Sequence, residues 1–157
     1  MAGTLKVKIQ EDIILDNQDY GSKRVFEISS IANILKRIVT IASDDDATVL
    51  VFKSTTASAD GALDLQNVKY IRITNLDSSN SVNISLQLDS GEDNSAADLS
   101  MTHLLEAGRS FLMGAPDEGA HADDDSATIV TALTDLESII VDPGSNSGQV
   151  EVFVAST

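Results

Sequence analysis

Apolar and polar residues alternate with a period of two along most of this chain. Leu5, Val7 and Ile9 are separated by Lys6, Lys8 and Gln10, the pattern of a half-buried strand, and Ile13 to Leu15 are expected to continue it past a bulge at Glu11-Asp12. A turn is expected over Asn17-Gln18-Asp19-Tyr20-Gly21. Residues 22–42 fit two periods, since Val25, Ile28, Ile31, Leu35 and Ile38 suit a helix while Phe26/Ile28 and Val39/Ile41 suit strands. Their density of β-branched side chains favours two strands, near 24–29 and 35–42, with a link at residues 29–33.

Further along, Val49-Leu50-Val51-Phe52 is a continuous apolar run too short for a stable helix, which predicts a strand buried on both faces. Residues 68–74 and 81–88 are the clearest strands; in the second, Val82, Ile84, Leu86 and Leu88 face one way and Asn83, Ser85, Gln87 and Asp89 the other. Strand pattern returns at Leu99, Met101 and His103, at 111–113, around Ile129 and Val130, at 136–141 and at 149–155. Turns are predicted at Leu105-Glu106-Ala107-Gly108 and Asp142-Pro143-Gly144, and residues 114–126 offer almost nothing to bury. Nine or ten short strands and no long helix predict an all-β fold: one antiparallel β-sandwich domain over residues 1–157, with jelly-roll topology one arrangement open to it.

Composition narrows what such a domain does. At 157 residues the chain can bury a core without staples, and the lack of cysteine excludes disulfides, a thiolate nucleophile and Cys-ligated metals. Twenty-five acids against ten bases give a net charge of −15. Through residue 78 there are nine bases and eleven acids, whereas from Ser79 onward Arg109 stands alone against fourteen acids. Nucleic acid is therefore a disfavoured partner, because phosphate binding needs clustered Lys and Arg. The N-terminus lacks the pattern of a secretory signal and no stretch approaches the ~18 apolar residues of a membrane span, so a protein soluble as made, with no membrane partner, is expected.

Candidate chemistry is sparse. His103 sits in strand pattern beside Leu104 and Leu105 and reads as a packed or interface residue, while His121 lies in an acidic loop and is expected to be solvated. Asp44-Asp45-Asp46, Asp89-Ser90-Gly91-Glu92-Asp93-Asn94 and Asp123-Asp124-Asp125 offer oxygen ligands of the kind that build Ca²⁺ sites in β-sandwich loops, but all three lack the EF-hand pattern of spaced acids, a Gly and a terminal Glu, so solvated or partner-facing acidic loops are the favoured reading. No catalytic, cofactor-binding or metal-binding residue is assigned, and no cofactor is expected. Tyr70 and Arg72 share the strand face opposite Ile71 and Ile73, and Phe153 lies opposite the valines of its strand; these three are the candidate partner-binding residues, with cover by a neighbouring strand as the alternative. Free edges at residues 4–10 and 149–155 would be able to add to a neighbour's sheet.

Three segments carry a resemblance. Lys36-Arg37-Ile38-Val39-Thr40-Ile41, then Val68-Lys69-Tyr70-Ile71-Arg72-Ile73-Thr74-Asn75-Leu76-Asp77 leading into residues 82–88, and Leu105-Glu106-Ala107-Gly108-Arg109-Ser110-Phe111-Leu112-Met113 resemble small β-sandwich virion structural proteins of tailed bacteriophages, those of marine and cyanobacterial phages above all. The resemblance spans residues 36–113 and implies that the strand at 68–74 pairs with the next across a short turn, with a hairpin following at 105–113. It also implies a non-enzymatic structural protein made in the host cytoplasm and resident in the virion. The specific expectation is a head decoration or cement protein, present in many copies or as a homo-oligomer, whose partner is the major capsid protein or another virion protein. A neck or tail component is the alternative within that class, and a Ca²⁺-dependent carbohydrate-binding module the alternative outside it.

Overall fold

The computed structural model describes residues 2–53, 61–89, 99–122 and 133–157. The strand expected around Ile129 and Val130, the Asp123-Asp124-Asp125 run and the loop residues 90–94 lie outside them. The described residues form thirteen strands: β1 (Gly3–Glu11), β2 (Ile14–Leu15), β3 (Gln18–Asp19), β4 (Ser22–Ile31), β5 (Asn33–Ile41), β6 (Ala47–Lys53), β7 (Leu63–Asp64), β8 (Val68–Asn75), β9 (Val82–Asp89), β10 (Leu99–Leu105), β11 (Ser110–Gly114), β12 (Asp135–Asp142) and β13 (Gly148–Ser156). Three of these are two-residue strands and the other ten are the short strands the pattern predicts. Residues 22–41 are two strands, as β-branching requires, joined through the single residue Ala32.

β5 to β13 form a sandwich, antiparallel except where the two-residue β7 pairs parallel with β6, and its pairing is nested. β5 pairs with β13, β6 with β12, β8 with β11 and β9 with β10, so the chain doubles back on itself as one long ribbon. Rolling that ribbon brings β8 against β13 and β9 against β12, giving one sheet ordered β11-β8-β13-β5 and another ordered β10-β9-β12-β6-β7. This strand order is that of a jelly roll.

Nesting overturns two expectations. β8 and β9 do not pair, and β10 and β11 form no hairpin; each pair belongs to different sheets, so residues 76–81 and 106–109 cross from one sheet to the other. The alternation of Ile71/Ile73 and Val82/Ile84 says which face of each strand is buried, not which neighbour is hydrogen-bonded, so it suits a hairpin and two strands in facing sheets equally. Nor is 149–155 a free edge, because β13 lies between β8 and β5.

The core lies between the two sheets. Ile71, Ile73, Val150, Val152 and Val154 meet Phe52, Ile84, Leu88, Leu136, Ile139 and Val141 there, nearly all without solvent exposure. The run at 49–52 is not buried on both faces: Leu50 pairs with Ile139 and Thr48 with Ile140, so Val49 is the extra residue of a bulge, which accounts for two successive buried side chains. Residues 114–122 also bury more than expected. Pro116 is buried, Ala120 and Ala122 pack on the core, and Asp117 forms an ion pair with Lys69. Ala120 is bridged to Thr134, and at Gly119, with φ of +80°, a Cβ would stand 2.4 Å from the Thr134 carbonyl oxygen.

Candidate interaction surface

β1 and β4 form a two-stranded ribbon that precedes the jelly roll, with Leu5 opposite Ile28, Val7 opposite Phe26 and Ile9 opposite Arg24. Beyond it β2 and β3 make the tip. The turn is Asp16-Asn17, with φ of 50° and 63°, and of the residues expected to turn only Asn17 does so, since Gln18 and Asp19 form β3; two left-handed residues twist as the flanking strands do, and Asp and Asn tolerate that region best after glycine. At Gly21 a Cβ would lie 2.7 Å from the Glu11 carbonyl oxygen, so only glycine lets the two strands close there. The Asp19 carboxylate accepts from the Gly21 N–H at 2.8 Å and fixes the approach.

The ribbon is anchored only at its base. Val7 and Ile31 are buried against Tyr70 and Ala155, with Leu5, Ile28 and Phe153 packed around them. Every residue from 8 to 27 is exposed. Among these are seven large apolar side chains, Ile9, Ile13, Ile14, Leu15, Tyr20, Val25 and Phe26, with Ile14 at 76% and Leu15 at 58% of full exposure. Period-2 alternation continues outward past the point where any described part of the chain buries it.

The ribbon sits on the outer face of the β11-β8-β13-β5 sheet, and here the three candidate partner-binding residues come together. The Tyr70 and Phe153 rings meet edge-on at 6.1 Å between centroids, and the Arg72 guanidinium lies 5.6 Å over the Phe153 ring. Register places Leu112, Arg72, Phe153 and Lys36 in one row across the four strands. Glu151 accepts from Arg72 and is 3.1 Å from Lys36, and hydrogen bonding from Lys36 leads the causes that hold its carboxyl below the usual range. Burial pushes the Tyr70 hydroxyl up, with Arg72 opposing. Tyr70 is packed under this chain's own β1, and Tyr70, Arg72 and Phe153 together line a groove of about 570 Å³ between β1 and the sheet.

Leu5 to Gln10, Lys36, Ser110 and Leu112 complete its walls. Four of the ten bases in the chain, Lys6, Lys8, Lys36 and Arg72, thus border one groove. Among the described residues β1 pairs only with β4 and β11 only with β8, so a strand edge without a described partner runs along either side. Sequence reasoning found the cluster's aromatics and arginine but missed the tip, although Ile13-Ile14-Leu15 ahead of a turn was a readable signal.

The histidines are apart. His103 is exposed on edge strand β10 with its ring 6.1 Å from that of Phe111, and His121 is half-buried, not solvated, because residues 114–122 pack down. Among the described residues no group of three or more His, Cys, Asp or Glu side chains is placed to hold a metal ion, and no helix is long and apolar enough to cross a membrane.

No family model and no curated protein matches this chain. A solved structure from work on Bacillus endospore appendages, described as a novel family of disulfide-linked pili, is similar over 79% of this chain and 88% of that one, at 13% identity and a TM-score of 0.38.

Proposed function

We propose that this chain is a non-enzymatic structural protein of a virus particle of the tailed-phage type, a head decoration protein whose work is binding. One observation carries the proposal: the chain holds out a ribbon, residues 8–27, whose large apolar side chains are all in water. A two-stranded ribbon is marginal in water on its own, and exposed apolar surface of this kind marks an interaction site. In the assembled particle the ribbon is covered at joints between subunits. Each bound copy then stabilises the shell by mass action, since it binds the assembled state and not the dissociated one.

The test is sedimentation of the purified protein with empty phage heads and, separately, with isolated tails, counting bound copies per particle. Saturable binding to heads at a stoichiometry matching the lattice positions is expected. Binding confined to tails in small numbers would move the protein to the neck or tail, and binding to neither would sink the virion reading.

A further inference from the structure

We propose that the groove between β1 and the outer sheet face receives the ribbon tip of a second copy of this chain, so that copies associate head to tail. The inference rests on the reading of the ribbon as a joint surface and names what covers it. Charge selects the occupant. Residues 11–21 carry Glu11, Asp12, Asp16 and Asp19 and no base, a net of −4, while the groove gathers Lys6, Lys8, Lys36 and Arg72 against Glu151 and the Lys6 partner Glu27, a net of +2. Elsewhere the chain is strongly acidic: residues 32–157 hold six bases and twenty acids, so two bodies repel unless a contact of opposite sign brings them together.

Apolar surface matches as well. Ile13, Ile14, Leu15 and Tyr20 at the tip are exposed large apolar side chains, and Ile9, Leu112 and Phe153 line the groove. These edges of β1 and β11 leave backbone donors and acceptors beside the incoming strand. A tip cannot fill its own groove, because β1 is paired with β4 from Leu5–Ile28 out to Glu11–Ser22 and that ribbon holds the tip away from its base. Tip and groove are different surfaces, so the contact is heterologous and propagates into a ring or a filament.

Sedimentation velocity of the purified full chain over a dilution series tests this. The wild type is expected to grow beyond monomer mass with concentration. Ile14→Asp/Leu15→Asp, Glu11→Lys/Asp12→Lys and Lys8→Glu/Lys36→Glu, all at exposed positions, should each weaken association by about tenfold or more. An equimolar mixture of the two charge variants should recover one contact per pair, seen as a heterodimer, because the unaltered tip of the groove variant, net −4, meets the unaltered groove of the tip variant, net +2. A wild type that stays monomeric up to about 1 mM, or charge variants that associate undiminished, or a mixture that fails to recover, would overturn the proposal. Monomers that still saturate phage heads would end this inference and leave the decoration reading standing, while head-to-tail oligomers that bind neither heads nor tails would do the reverse.

Discussion

Asn75 is the buried polar side chain of the described core, with no solvent exposure at all, and it ties two sheet-crossing loops together. Its amide donates to the carbonyls of Asn80 at 2.8 Å and Leu105 at 3.2 Å, its side-chain oxygen accepts from the Asp77 N–H at 3.0 Å, and its own N–H donates to the Arg109 carbonyl at 2.9 Å. Replacing it with alanine strands a buried carbonyl and should cost about 2–4 kcal/mol, measured by denaturant unfolding. Two residues on, the Asp77 carboxylate accepts from the N–H groups of Asn80 and Ser79 at 2.8 Å each, and these bonds lower its pKa to about 2. A depressed carboxylate stabilises the fold above its unfolded value, near 3.8, and loses that contribution as pH falls to about 2. The stability difference between wild type and Asp77→Ala should therefore be constant above pH 5 and shrink between about pH 4 and pH 2. In the sequence both residues read as parts of a turn. Nothing there distinguishes a turn within a sheet from a crossing between sheets, because both need the same Asn and Asp chemistry.

Strands were legible from alternation and β-branching, and their partners were not. The ribbon is the clearest case: Leu5, Val7 and Ile9 read as one face of a half-buried strand, yet burial stops at Val7. A sequence pattern records that a face is to be covered, without saying whether the cover is its own chain. Residues 8–27 lie outside the core, so replacing 12–20 with a two-residue Asn-Gly turn should change stability by less than about 0.5 kcal/mol. The same deletion should abolish binding to heads. Unchanged binding, measured by sedimentation, would show that another surface makes the joint. By contrast Val7→Asp puts a charge against Tyr70 and Ala155, and should release the ribbon from the body; faster amide exchange across β1 and β4 is the readout.

At the scale of the whole molecule, two sheets share one core, which binds their stabilities together. Ile139→Ala in one sheet and Val152→Ala in the other remove buried side chains from the same cluster, and each should lower one common calorimetric transition, Ile139→Ala by about 2–5 kcal/mol. Two separate transitions would refute a shared core. Pairing is also remote in sequence, Asn33 with Ser156 at the extreme, so refolding is expected on the slow, millisecond-to-second scale of β-sandwiches. What the amino-acid order determined by itself was the class of structure: period-2 faces, turn residues and the missing helices leave two packed antiparallel sheets as the way to bury this apolar content. Alternation is local, set by side chains pointing to opposite sides of one strand. Which strands become neighbours depends on loops closing across the chain and on faces fitting one core, and those are properties of the assembled fold. Only the tertiary structure therefore decided that Asn75 joins two crossings, that β13 is central, that Tyr70, Arg72 and Phe153 border one groove under β1, and that an apolar ribbon stands out in water.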